Sequence, residues 1–190
     1  MILNLFRYFA KFPELSGVLT IFNNGESTLS EYAGLKAELE TIPLHGLVPG
    51  IQHYVFGQSF EGVKKRIDSL SGTFLFVDFG EFSSTRDQRN SIHDTQKLAV
   101  TVAMKVSASS DLVEEAIISE KTLQLINILR ARMIDDSLKM DAPWLKKLSD
   151  THDIIPFVAP ELASLGWSMR FDSEGADLFA IKDLIKSFNR

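Results

Sequence analysis

Between Gln96 and Val106 the chain alternates at every step. Leu98, Val100, Val102, Met104 and Val106 point one way, and Lys97, Ala99, Thr101, Ala103 and Lys105 the other. Successive side chains of a strand switch faces, so this stretch predicts a long strand with one buried face. Its second face, made of small and polar residues, is expected to be wet and free to meet a partner. The pattern marks the fold as sheet-based.

The rest of the composition sets bounds. A chain of 190 residues fits a single α+β domain over 1–190, with 1–44 readable as an N-terminal helical extension. The 14 Phe outnumber Tyr and Trp together, and Phe needs no hydrogen-bond partner, so most are expected in the core or an interface. A net charge of -5 argues against a surface built to neutralise phosphates, so direct nucleic-acid contact is not expected. Without cysteine there are no disulfides and no thiolate catalysis or ligation, and a cytosolic setting is the easier reading. The first residues carry charges inside their apolar pattern, which does not suit a signal peptide. No run is long and apolar enough for a membrane span.

Further elements follow from spacing. Ile2, Leu5, Phe6 and Phe9 predict a short helix over 2–12, and Gly17–Phe22 reads as strand or helix. Thr28 or Ser30 is expected to cap a helix to about Glu40, with Tyr32, Leu35 and Leu39 inward. A strand over Ile51–Gly57 and a helix over Phe60–Leu70, preceded by Ser59, come next. Thr73–Phe82 is apolar on both sides, which predicts a strand covered on both faces. Polar Ser83–Asn90 reads as a hairpin tip or a projecting loop leading back into the alternating strand. A helix capped by Ser119 is expected to run to about Met140, burying Leu123, Ile126, Leu129, Met133, Ile134 and Leu138, with Leu125 and Ile128 widening the stripe. A short helix with Trp144, Leu145 and Leu148 follows. Ile154–Leu162, interrupted by Pro156 and Pro160, suits an edge strand or an irregular crossing. Gly166–Asp172 alternates again, Ser173–Glu174–Gly175 reads as a turn, and Ala176–Ile181 as a return strand. The fold class expected is α+β: a mostly antiparallel sheet with a long central hairpin, packed on one long helix and shorter helices.

Candidate chemistry is thin. Asp78-Phe79-Gly80 matches the magnesium triplet of protein kinases, but no phosphate loop or catalytic loop accompanies it, so a strand with a bulge-prone glycine is the better account. His45, His53, His93 and His152 lack the spacing of a ligand pair, and no metal or cofactor is expected. An enzyme would have to use His93, Asp94 or His152. Asp135-Asp136 sits near a helix C-terminus, where the backbone field disfavours anions, and Arg130 and Arg132 are the expected partners. Lys64-Lys65-Arg66 and Lys146-Lys147 have no interleaved aromatics for stacking on bases.

In order, these elements are a terminal helix, strand, helix, long hairpin, long helix, Pro-broken segment and final hairpin. That order, carried by Thr73–Phe82, Lys97–Ser107, Ser119–Met140 and Gly166–Phe171 and covering about 45–181, resembles the small α+β fold of tailed-phage tail terminator or tail completion proteins, including those of Mu-like prophages. The resemblance implies a non-enzymatic homo-oligomer that forms a ring, with tail-tube or head-completion proteins as partners, assembled in the host cytoplasm and carried into the virion. The candidate subunit interface is then Ala99, Thr101 and Ala103 on the wet strand face, with Arg86, Asp87 and Arg89 on the polar loop. The competing reading is an α+β ligand-binding or regulatory module whose Phe residues line a pocket.

Overall fold

The computed structural model describes residues 2–22, 27–42, 45–58, 60–86, 88, 92–139, 145, 148 and 150–176. Three helices come first: α1 (Ile2–Ala10), α2 (Leu15–Leu19) and α3 (Ser30–Thr41). Then follow β1 (His53–Gly57), α4 (Phe60–Asp68), β2 (Thr73–Asp78), β3 (Phe82–Arg86), β4 (Ile92–Lys105) and α5 (Leu112–Leu138). The described chain closes with β5 (Asp153–Ala159), a 3-10 turn over Pro160–Leu162, and β6 (Ser164–Ala176). The fold is α+β, built on a six-stranded sheet ordered β1-β2-β4-β6-β5, with β3 also paired to β4.

Only β1 and β2 are parallel, which the intervening α4 makes possible; the other pairs are antiparallel. The segments near 73 and 96 do form one ribbon: Thr73 faces Met104 and Asp78 faces Ala99. The polar segment expected as a hairpin tip starts instead with β3, paired to β4 from Phe82 opposite Gln96 to Arg86 opposite Ile92. Between Asp78 and Phe82 three residues stand opposite Lys97 and Leu98, so β2 and β3 are one strand broken by a bulge. Gly80 makes the bulge possible. Its φ is +33°, and a Cβ there would lie 2.7 Å from the Lys97 carbonyl oxygen.

Both faces of the sheet are covered near its middle. On one, Tyr54, Leu75, Val77, Leu98, Val100, Val102, Met169 and Phe171 pack with Ile126, Leu129 and Met133 of α5 and with α1 and α2. Leu5, Phe6, Phe9, Phe12, Val18, Phe22 and Leu39 belong to this same core, so the described part of 1–44 packs on the sheet. On the other face, Val63 and Ile67 of α4 cover Val55, Phe74, Phe76 and Ala103, with Ala159 and Leu162 closing the end. This explains β2, buried along both of its faces up to Val77.

Several boundaries differ from expectation. Helix α5 starts at Leu112, two turns before Ser119, because Asp111 Oδ1 accepts from Val113 N and Glu114 N at 2.9 Å each. Its buried positions are Ile118, Thr122, Ile126, Leu129, Met133 and Ser137, whereas Leu138 (74% exposed) and Ile128 (44%) turn outward. The N-cap of α3 is Leu29, with no side-chain cap bond from Thr28 or Ser30. Gly17 lies in a helix, so the run from Gly17 opens helical. Ser173–Gly175 is no turn: β6 runs on to Ala176, opposite His93. Ser59, Trp144 and the expected return strand beyond Ala176 lie outside the described residues, as do Asp87 and Arg89.

Candidate functional site

The expected wet face of β4 is largely dry. Ala103 is fully buried under α4, and Thr101 is buried with its Oγ1 donating to Ser168 Oγ at 3.0 Å. A small residue is needed at Ala103 because Gly166 crosses it closely; a Cβ on Gly166 would meet Ala103 Cα at 2.6 Å. Ala99 alone of the three is partly exposed, and it lies outside the apolar cluster that α4 covers. Arg86 is exposed at the end of β3.

Ala99 is the middle of a charged row. The register sets Asp78, Ala99, Arg170 and Asp153 side by side on one face across β2, β4, β6 and β5. Lys97 and Asp172 form the next pair on that face, and Glu81 lies 3.5 Å from Lys97. Two open hollows of about 290 and 360 Å³ flank the row and share Arg170, Phe171 and Asp172. Arg170 makes no hydrogen bond or ion pair of its side chain among the described residues. Partial burial raises the Asp78 carboxyl above its ordinary value, against the lowering effect of the Gly80 N–H that donates to Oδ1 at 3.0 Å. Here the Asp78-Phe79-Gly80 triplet is the bulge itself. Exposed charges of both signs around a small floor residue suit contact with a polar protein surface, where pairing sets register more than affinity.

His45, His53 and His152 are spent on local structure, and the His93 side chain lies outside what the structure describes. His45 bonds the Ala10 and Leu39 carbonyls at 3.1 and 2.8 Å, and His53 Nε2 bonds the Ser71 carbonyl at 2.8 Å. Arg130 Nε donates to His152 Nε2 at 2.5 Å, which leaves Nδ1 to donate to the Leu148 carbonyl at 2.9 Å. Asp94 is buried and accepts from Ser84 Oγ. His152 precedes Asp153, whose row meets β4 at Ala99, five residues and about 17 Å from Asp94, so the fold does not gather these groups. No cluster of three metal-ligating side chains occurs among the described residues, and no helix there is long and apolar enough to cross a membrane.

The Asp135-Asp136 pair has other partners than Arg130 and Arg132. Asp136 Oδ2 accepts from Tyr8 Oη at 2.7 Å and Lys11 Nζ at 2.6 Å, and Asp135 pairs with Lys139 at 2.6 Å. The Asp136 cluster ties α1 to α5. Arg170 and Asp172 fall within the alternation of Gly166–Asp172, but their meeting with Lys97, Asp78 and Asp153 needs the cross-strand register. Comparison with family models, with curated proteins and with solved structures finds no match for this chain.

Proposed function

We propose that this chain is a non-enzymatic structural protein of a phage or prophage tail, one subunit of a ring that terminates or completes the tail tube. The observation that carries the reading is the order of elements: helix, strand, helix, antiparallel ribbon, long helix, extended segment, strand. Exposed Leu112, Val113 and Ile117 on α5 support it, because apolar side chains grouped at a helix end are typical of a contact surface. The charged row around Ala99 gives a second surface able to set the register between subunits. Light scattering and negative-stain microscopy, with and without a tail-tube protein, test this. Annular particles are the expected result; a monomer under both conditions overturns it.

A ligand-binding module is the second reading, favoured by the hollows on either side of Arg170. It expects Arg170→Ala to abolish a ligand-induced thermal shift while leaving particle size unchanged. The ring reading expects no such shift.

A further inference from the structure

The hollow of about 290 Å³ beside Arg170 holds more acid than base. Asp153 stands opposite Arg170 across β5 and β6, and Asp172 follows two residues on, along the same face. Thr151, His152 and Phe171 complete the lining, so two carboxylates share one guanidinium. Arg130 does not redress the balance. It belongs to α5, on the opposite face of the sheet, and donates to His152 from there. Asp153, Arg170 and Asp172 are exposed, and no side-chain hydrogen bond or ion pair holds any of them among the described residues. A second guanidinium fits such a place, because its planar fork can bond two carboxylates at once.

The tip of the β3–β4 ribbon carries one. Strand β3 is exposed from Ser83 to Arg86, its last residue. Arg86 likewise has no side-chain hydrogen bond or ion pair among the described residues. From Phe82 to Ile92 the sequence carries Arg86, Asp87 and Arg89, one more base than acid.

Within one copy the two cannot meet. Arg86 pairs with Ile92 on one side of β4, and β6 lies on the other side. Asp172 stands opposite Lys97 and Arg170 opposite Ala99, five and seven residues along β4 from Ile92. Those steps are about 17 and 24 Å. An arginine side chain, six bonds of roughly 1.5 Å each when fully extended, does not span the shorter of them. Pairing along β3 and β4 prevents the tip from folding back.

We infer that Arg86 of one copy lies between Asp153 and Asp172 of the next copy. The contact joins two different patches of identical subunits, so its repetition gives a closed ring or an open filament. It rests on the assembly reading for the presence of a second copy, and it adds which surfaces touch.

Charge reversal tests it in the full chain. Arg86→Glu reverses the tip, and Asp172→Arg or Asp153→Arg reverses the hollow; Lys64→Glu, exposed on α4, is the control. All four positions are exposed, and near-UV circular dichroism confirms the wild-type fold. Association is read by light scattering over a dilution series at low salt, alone and with a tail-tube protein. Each of the three reversals is expected to weaken association at least tenfold, because like charges then face each other. Arg86→Glu combined with Asp172→Arg in one chain is expected to return it to within about threefold of wild type, since the pair is again of opposite sign. The control is expected to match wild type. Unchanged association in Arg86→Glu, a combined variant no better than its two parents, or an equal loss in the control overturns the inference and leaves the ring reading standing. A wild-type chain that stays monomeric under both conditions overturns both.

Discussion

Asp78 concentrates the tension between burial and charge at a single residue. Its folded carboxyl binds a proton more readily than the unfolded one, because partial burial penalises the anion. The sign follows: the penalty is absent below about pH 4, where both states are protonated, and grows as the folded carboxyl ionises above that. Asp78→Asn keeps the acceptor for Gly80 N and removes the charge. It is expected to raise Tm at pH 7 by a fraction of what ~1 kcal/mol gives, solvent screening included, and to lose that gain near pH 3.5, as read by thermal melts at both values. Asp136 has the opposite role. Asp136→Ala strips Tyr8 and Lys11 of their shared acceptor, and a loss of about 1–3 kcal/mol is expected in urea unfolding. Single residues were the least legible scale. The sequence places Asp135-Asp136 near a helix end but cannot show that α1 returns to meet it, 125 residues earlier in the Lys11 pairing.

At the scale of elements, period and capping decided most of the fold. The alternation of β4 and β6, the apolar β2 and the Pro-interrupted edge strand β5 are all local patterns, and the structure follows them. Misplaced boundaries trace to side chains that compete for the same task. Ser119 and Asp111 both suit an N-cap, but only Asp111 has its carboxylate against two free N–H groups. Asp111→Ala is expected to lower Tm by roughly 2–4 °C, the effect of about 1 kcal/mol in a chain of this length. Ser83–Arg86 has no apolar alternation, so nothing local marks it as β3; pairing with β4 makes it a strand. Gly166 is the sharpest test of register. A Cβ there would sit 2.1 Å from the Val102 carbonyl oxygen, so Gly166→Ala is expected to destabilise by several times the ~1 kcal/mol of an ordinary substitution, or to prevent folding, as soluble yield and a melt would show.

For the whole molecule, the sheet is the frame on which the surfaces are arranged. Helix α4 covers Val55, Phe74, Phe76 and Ala103 of its face, and the row from Asp78 to Asp153 lies outside that cluster. Helix α5, with 27 residues, is long enough to bury one side under the main core and to show Val113 and Ile117 to solvent at its start. The fold class was legible because hydrophobic period is a property of neighbours in sequence. The charged row was not, because it joins residues 78, 99, 153 and 170 through register alone.

The bulge at Gly80 divides β4 into two regimes. Above it, residues 100–104 are flanked by β2 and β6 in the covered body of the sheet; below it, 92–96 are held by polar β3 and the end of β6. Amide protons of the lower stretch therefore open to deuterium through local fraying, while those of Val100 and Val102 wait for global unfolding, a gap of orders of magnitude in exchange rate. The same division means that a load applied at the tip of the ribbon peels β3 away while the body of the sheet holds.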